Sequence, residues 1–116
     1  MFGFDVPSVP EVAAEEVWEA LQKKKKIVLL DVRTPHEYTR GNIQGSVNIP
    51  VEKVKDGVAK KFPNKNSTIY VYCLSGSRSV MAVATMSKMG YKNVFSMTSG
   101  LLSWRAKGFP LTQPAG

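Results

Sequence analysis

The chain has 116 residues, 16 Lys and Arg against 9 Asp and Glu, and 43% apolar residues. That length fits one domain with its own core, and that composition excludes a disordered chain. With one cysteine, Cys73, and one histidine, His36, an internal disulfide and a cysteine- or histidine-rich metal site are excluded, and no cofactor is expected.

Residues 1–10, with Pro7 and Pro10, read as an extended lead-in, residues 11–111 as the domain, and residues 112–116 as a short tail. The start lacks a basic stretch followed by an apolar one, and no stretch reaches the roughly 18 apolar residues that span a bilayer. A cytoplasmic protein with no membrane partner is the expectation, and a lone cysteine suits a reducing compartment.

Ala13 to Lys24 predicts a helix with Val17, Leu21 and either Ala20 or Trp18 on the inward face, glutamates early and lysines late, as the helix dipole favours. Ile27 to Val32 is a continuous apolar run, the mark of a strand buried on both faces. Thr34-Pro35-His36-Glu37 predicts a helix start, with Thr34 as N-cap, Pro35 in the first turn and Glu37 completing a capping box; Gly41 ends that helix. Val47 to Ile49 is a short strand closed by Pro50, and Val51 to Lys61 a helix weakened by Gly57. Ser67 to Tyr72 is a strand, and Ser77 to Met89 a helix ended by Gly90. The apolar face of that helix is broad, with Val80, Met81, Val83, Ala84, Met86 and Met89 expected in the core. Tyr91 to Phe95 leads into a further strand and Leu101 to Ala106 forms the last helix. Trp18 and Trp104 are expected in the core.

Strands alternating with helices predict an α/β domain with a mainly parallel sheet. Sites in such sheets form beyond the carboxyl ends of the strands, where Cys73 follows its strand. The loop Cys73-Leu74-Ser75-Gly76-Ser77-Arg78-Ser79 joins that strand to a helix. Gly76 lets the backbone curl, curled amides make an anion-binding nest, and the helix start adds its unpaired N–H groups. A thiol there is expected to part with its proton more readily, with Arg78 adding positive charge. A lone cysteine is otherwise a small buried hydrophobe; the strand-loop-helix setting favours a nucleophile. The lysine-rich runs, Lys23 to Lys26 and Lys53 to Lys65, read as solvated helix ends and loops. No aromatic-basic platform accompanies them, so no nucleic-acid partner is expected; steering of small anions towards a site is the remaining reading.

The loop motif Cys73-x-x-Gly76-x-Arg78-Ser79 resembles the active-site loop of rhodanese domains. Leu30 to Tyr38, continuing through Gly41 to Pro50, is similar to that family's N-terminal signature. Gly100-Leu101-Leu102-Ser103-Trp104 with Gly108-Phe109-Pro110 is similar to its C-terminal one. The resemblance runs from about Val12 to Leu111. It implies a rhodanese-like domain with a five-stranded, mainly parallel sheet and helices on both faces. It also implies a sulfurtransferase in which Cys73 becomes a persulfide, with Leu74, Ser75, Gly76, Ser77, Arg78 and Ser79 binding the donor. The substrates so implied are a small sulfane sulfur donor such as thiosulfate and a thiol or cyanide acceptor. Asn42 and Ser99 depart from the family's usual histidine and glycine, and both positions are expected to be structural. Asp31 and Arg33 are expected to order neighbouring loops through ion pairs, and Glu37 to be a cap rather than an acid. Four residues separate Cys73 from Arg78; cysteine-dependent phosphatases carry one more, so the tighter loop speaks for sulfur over phosphate. A persulfide carrier serving a protein acceptor is the alternative. A non-catalytic interaction module is a weaker one, because the loop cysteine is present.

Overall fold

The structure, a computed structural model, describes residues 7–113. The outer parts of the expected lead-in and tail, residues 1–6 and 114–116, lie outside the described residues. Five strands form one sheet: β1 (Glu11–Val12), β2 (Val28–Asp31), β3 (Val47–Asn48), β4 (Thr68–Tyr72) and β5 (Asn93–Met97), in the order β1-β5-β4-β2-β3. Every strand pairing is parallel, so β4 is central, with β2 on one side and β5 on the other. The helices are α1 (Ala14–Gln22), α2 (Pro35–Thr39), α3 (Val54–Lys61), α4 (Ser77–Lys88) and α5 (Gly100–Ala106).

The sheet is buried on both faces because successive side chains of a strand point to opposite sides. On β2, Leu30 faces a core shared with Val54 and Val58 of α3 and Ala82, Val83 and Met86 of α4. Its neighbour Leu29 faces a second core with Ala14 and Val17 of α1 and Leu101 and Trp104 of α5. Trp104 is fully buried and donates through Nε1 to the Pro110 carbonyl at 2.9 Å. Trp18 is half-buried and meets Trp104 edge-on with ring centroids 5.9 Å apart. Both tryptophans belong to the packing, as expected.

Local sequence explains most element ends. The Thr34–Glu37 capping box is formed, with Glu37 N–H donating to Thr34 Oγ1 at 3.2 Å and Thr34 N–H to Glu37 Oε1 at 3.0 Å. Gly90, at φ 99°, closes α4: Tyr91 N–H reaches the Met86 carbonyl and Gly90 N–H that of Ser87, the paired bonds of a Schellman motif. The expected helix over Val51 to Lys61 begins as a 3-10 turn over Val51–Lys53 before α3. Gly57 has a packing reason, because a Cβ there would stand 2.9 Å from Ile49 Cγ2.

Two features differ from the sequence reading. Glu11 and Val12 form an edge strand against Ser96 and Met97, in a stretch whose pattern predicts none. Met81 is 52% exposed, not in the core: α4 rests on the sheet through Ala82, Val83 and Met86, and the residue before that seam points to solvent. Most of the lysines gather at one end of the molecule. Lys23 to Lys26 follow α1, Lys60 and Lys61 end α3, Lys88 ends α4, and Lys65 and Lys92 lie just before β4 and β5. In a parallel sheet these positions share the amino-terminal edge, opposite the end that carries Cys73.

Candidate active site

Cys73 follows β4 immediately and is completely buried. The loop after it turns so that two backbone amides reach its sulfur: Gly76 N–H at 3.1 Å and Ser79 N–H at 3.4 Å. Gly76 is the N-cap of α4 and has no side chain to accept from the helix's first amides. The sulfur takes that place. These N–H donors aimed at the sulfur lie at the positive end of a twelve-residue helix. Gly76 holds φ 110°, a conformation that glycine adopts without strain.

The loop's carbonyls turn the other way. Leu101 N–H donates to the Cys73 carbonyl and Leu102 N–H to that of Leu74, both at 3.0 Å. The orphan amides at the start of α5 therefore hold the outer side of the loop while its own amides face the sulfur. This close approach requires Gly100: a Cβ there would stand 2.3 Å from the Cys73 carbonyl oxygen and 2.6 Å from that of Leu74. Ser99, at φ 58°, adopts a left-handed conformation at the position where glycine is usual in the family, and its backbone nitrogen lies 3.4 Å from where a Gly76 Cβ would be. The sequence marked Gly100 only as part of a signature; its role as a buttress is visible only in three dimensions.

Behind Cys73 sits a buried hydroxyl pair. Ser79 Oγ lies 3.6 Å from Cys73 Sγ, donates to the Gly76 carbonyl at 3.1 Å, and is 2.8 Å from Ser96 Oγ of β5. Sequence reasoning missed Ser96, because nothing local ties β5 to the loop. Leu74, Ser75 and Ser77 form the exposed rim of the loop.

Arg78 does not stand alone at the loop mouth. Its guanidinium grips Glu37 with two bonds, Nη1 to Oε1 at 2.7 Å and Nη2 to Oε2 at 3.1 Å. That bond, with help from the Thr34 amide and hydroxyl, holds the Glu37 carboxyl down at about 2, against the opposing effect of partial burial. Glu37 is therefore a cap, as expected, and also the anchor of the loop arginine. The guanidinium charge near Cys73 is partly answered by that carboxylate.

Asp31 and Arg33 form the expected ion pair, fully enclosed, with Arg33 Nη2 2.7 Å from Asp31 Oδ2 and from the Gly41 carbonyl. The pair fixes the end of β2 to the turn after α2. Asn48 extends this bracing by donating to the Asp31 and Arg33 carbonyls. Asn42 donates through Nδ2 to the Tyr38 carbonyl and pairs by backbone with Thr112, a structural role as expected. A cavity of about 430 Å³ lined by Lys26, Ile27, Val28, Asn64, Asn66, Ser67 and Thr68 lies at the amino ends of β2 and β4. It is at the wrong end of the strands for chemistry at Cys73. Among the described residues no cluster of His, Cys, Asp and Glu is built to hold a metal ion, and no helix is long and apolar enough to cross a membrane.

Comparison with known proteins agrees with this geometry. The family model for the rhodanese-like domain matches residues 13–107. A sulfurtransferase of Allochromatium vinosum is 30% identical over 108 residues, which cover 93% of this chain and 99% of that protein. The thiosulfate sulfurtransferase PspE of Escherichia coli is 43% identical over 65 residues, covering 56% of this chain and 62% of PspE. YrkF of Bacillus subtilis, whose name includes the words sulfur carrier protein, is 36% identical over 100 residues; the match takes in 86% of this chain but only 53% of YrkF. The chain thus spans between half and two thirds of the length of these last two relatives. In three dimensions, the rhodanese-like domain of the Anabaena protein Alr3790 superposes with a TM-score of 0.84 at 28% identity, over 94% of this chain and 87% of that domain. With the family's three signatures in order, its five-stranded parallel sheet and a cysteine loop closing on its own sulfur, the chain belongs to the rhodanese-like domain family.

Proposed function

We propose that the chain is a sulfurtransferase that carries sulfane sulfur on Cys73. The Cys73 thiolate attacks the outer sulfur of thiosulfate; the S–S bond of the donor breaks, and its electron pair leaves with sulfite. The resulting persulfide carries its negative charge on the outer sulfur, within the ring of loop amides. An acceptor thiolate, or cyanide, then attacks that outer sulfur and the Cys73 thiolate is released as leaving group. The observation that carries this reading is the convergence of the Gly76 and Ser79 amides on a sulfur at the carboxyl end of the central strand. Leu74, Ser75, Gly76, Ser77, Arg78 and Ser79 form the donor-binding loop in this reading, with Arg78 reaching the sulfonate oxygens while tethered to Glu37.

Delivery to a protein acceptor is the second reading, and one observation favours it. Leu74 and Leu102 are exposed apolar residues at the loop, 37% and 54% accessible, and are joined by a backbone bond. An apolar rim beside a buried nucleophile suits a partner surface better than a freely hydrated small thiol. A reducing compartment such as the cytoplasm suits either reading.

Intact-mass measurement after thiosulfate treatment tests the common step. The protein is expected to gain about 32 Da, removable by reductant, as one persulfide sulfur. Cys73→Ser is expected to gain nothing; the same adduct on that variant would overturn the assignment, since the chain has no other thiol. Turnover of thiosulfate and cyanide then separates the small-molecule enzyme from the carrier.

A further inference from the structure

Ser96, only 1% exposed, lies on β5 in register with Val71 of the central strand. Among the described residues its hydroxyl has one hydrogen-bond partner, Ser79 Oγ. Ser79 Oγ has three neighbours: Ser96 Oγ, the Gly76 carbonyl and Cys73 Sγ. Each hydroxyl owns one proton and two acceptor lone pairs. If Ser79 gave its proton to Ser96, the Ser96 proton would be buried with no acceptor. If Ser96 gives its proton to Ser79, every group is satisfied. The penalty for a buried orphan donor decides between the two arrangements.

We propose that Ser96 is a positioning residue whose hydroxyl donates to Ser79, leaving the single Ser79 proton free to follow the charge on Cys73. With Cys73 as a thiol, S–H points to Ser79 Oγ and the Ser79 proton lies on the Gly76 carbonyl. When the thiol proton leaves to solvent, the Ser79 O–H rotates from the carbonyl to the thiolate. When the charge moves to the outer sulfur of a persulfide, the O–H rotates back. No covalent bond forms or breaks at either serine. The two acceptors are 3.1 Å and 3.6 Å from the oxygen, so a rotation about one bond suffices. A hydroxyl that already accepts a hydrogen bond donates more strongly, which is how Ser96 reaches the sulfur without touching it. The charged groups nearby do not replace it: Arg78 on α4 is bound to Glu37 of α2, and Asp31 and Arg33 at the end of β2 are bound to each other.

The inference rests on Cys73 as nucleophile but not on its sulfur donor, so the test reads Cys73 directly. Iodoacetamide alkylation at neutral pH is measured for the wild type, Ser79→Ala, Ser96→Ala and the double variant, with urea unfolding of all four. Ser79→Ala is expected to slow alkylation about tenfold, the loss of a hydrogen bond to a charged sulfur. Ser96→Ala is expected to slow it severalfold, and the double variant to be no slower than Ser79→Ala. In unfolding, Ser96→Ala is expected to destabilise the wild type but stabilise Ser79→Ala, where it removes an orphan hydroxyl. Additive effects on alkylation, a wild-type rate in Ser96→Ala, or destabilisation by Ser96→Ala in both backgrounds would each overturn the proposal. A protein that behaves as expected here yet takes no sulfur from thiosulfate would overturn only the reaction, not the role of Ser96.

Discussion

Replacing Glu37 by Gln removes one charge from the pair that tethers the loop arginine, with little change of shape. The carboxyl is held at about 2 against its ordinary 4.5, first by its hydrogen bonds with Arg78. A difference of that size corresponds to roughly 3 kcal/mol of gross preference for the charged form. About a third of each side chain is open to solvent, and screening reduces the share that stabilises the fold to about 1 kcal/mol. Because the folded value is depressed, the stabilisation is fully present above about 4.5 and is lost as pH falls through about 2. At neutral pH, Glu37→Gln is therefore expected to melt about 5 °C below the wild type. The gap should narrow in acid and close below about pH 2. Thermal melts followed by circular dichroism across that pH range measure it, with Arg78→Met as a second background in which the Glu37→Gln effect largely disappears. A gap that stays constant from neutral pH to below about 2 would refute the reasoning, since the carboxylate charge would then contribute nothing.

Gly100→Ala is expected to destabilise by about 3 kcal/mol or more, because a Cβ at φ 50° would overlap the Cys73 and Leu74 carbonyls. Urea unfolding with Cys73 alkylation checks it, and a stable variant with a fully reactive thiol would show that α5 does not buttress the loop. Asp31→Ala leaves the enclosed Arg33 guanidinium without its carboxylate, an expected loss of about 3–5 kcal/mol in the same assay; a loss under about 1 kcal/mol would mean that the Gly41 carbonyl alone satisfies Arg33.

The parts of this fold that were legible in the sequence are those whose cause is local. The Thr34–Glu37 capping box needs only the right residues three apart. The continuous apolar run before Val32 announces a strand buried on both faces, and Gly90 marks the end of α4. The strand-loop-helix around Cys73 follows from the same local signals. What stayed hidden depends on chain segments meeting. Glu37 and Arg78 are 41 residues apart in sequence and bind each other. Ser79 and Ser96 meet only because β5 lies beside β4. The strand Glu11–Val12 is too short for a period-two pattern and exists because β5 offers it an edge. Met81 misled for a related reason: an apolar residue on a helix tells of a face, but the sheet decides which face is covered.

The crowding of Lys23 to Lys26, Lys60, Lys61, Lys65, Lys88 and Lys92 at the amino-terminal edge of the sheet gives the molecule one basic end. Near a negatively charged support it would turn that edge inward and settle with the Cys73 loop facing the solvent. A cation-exchange bead would thus orient the protein as well as retain it, with every site open to the liquid phase. Rising ionic strength would release the molecule from the bead, while the loop amides, bonded within the fold, would hold their sulfur unchanged.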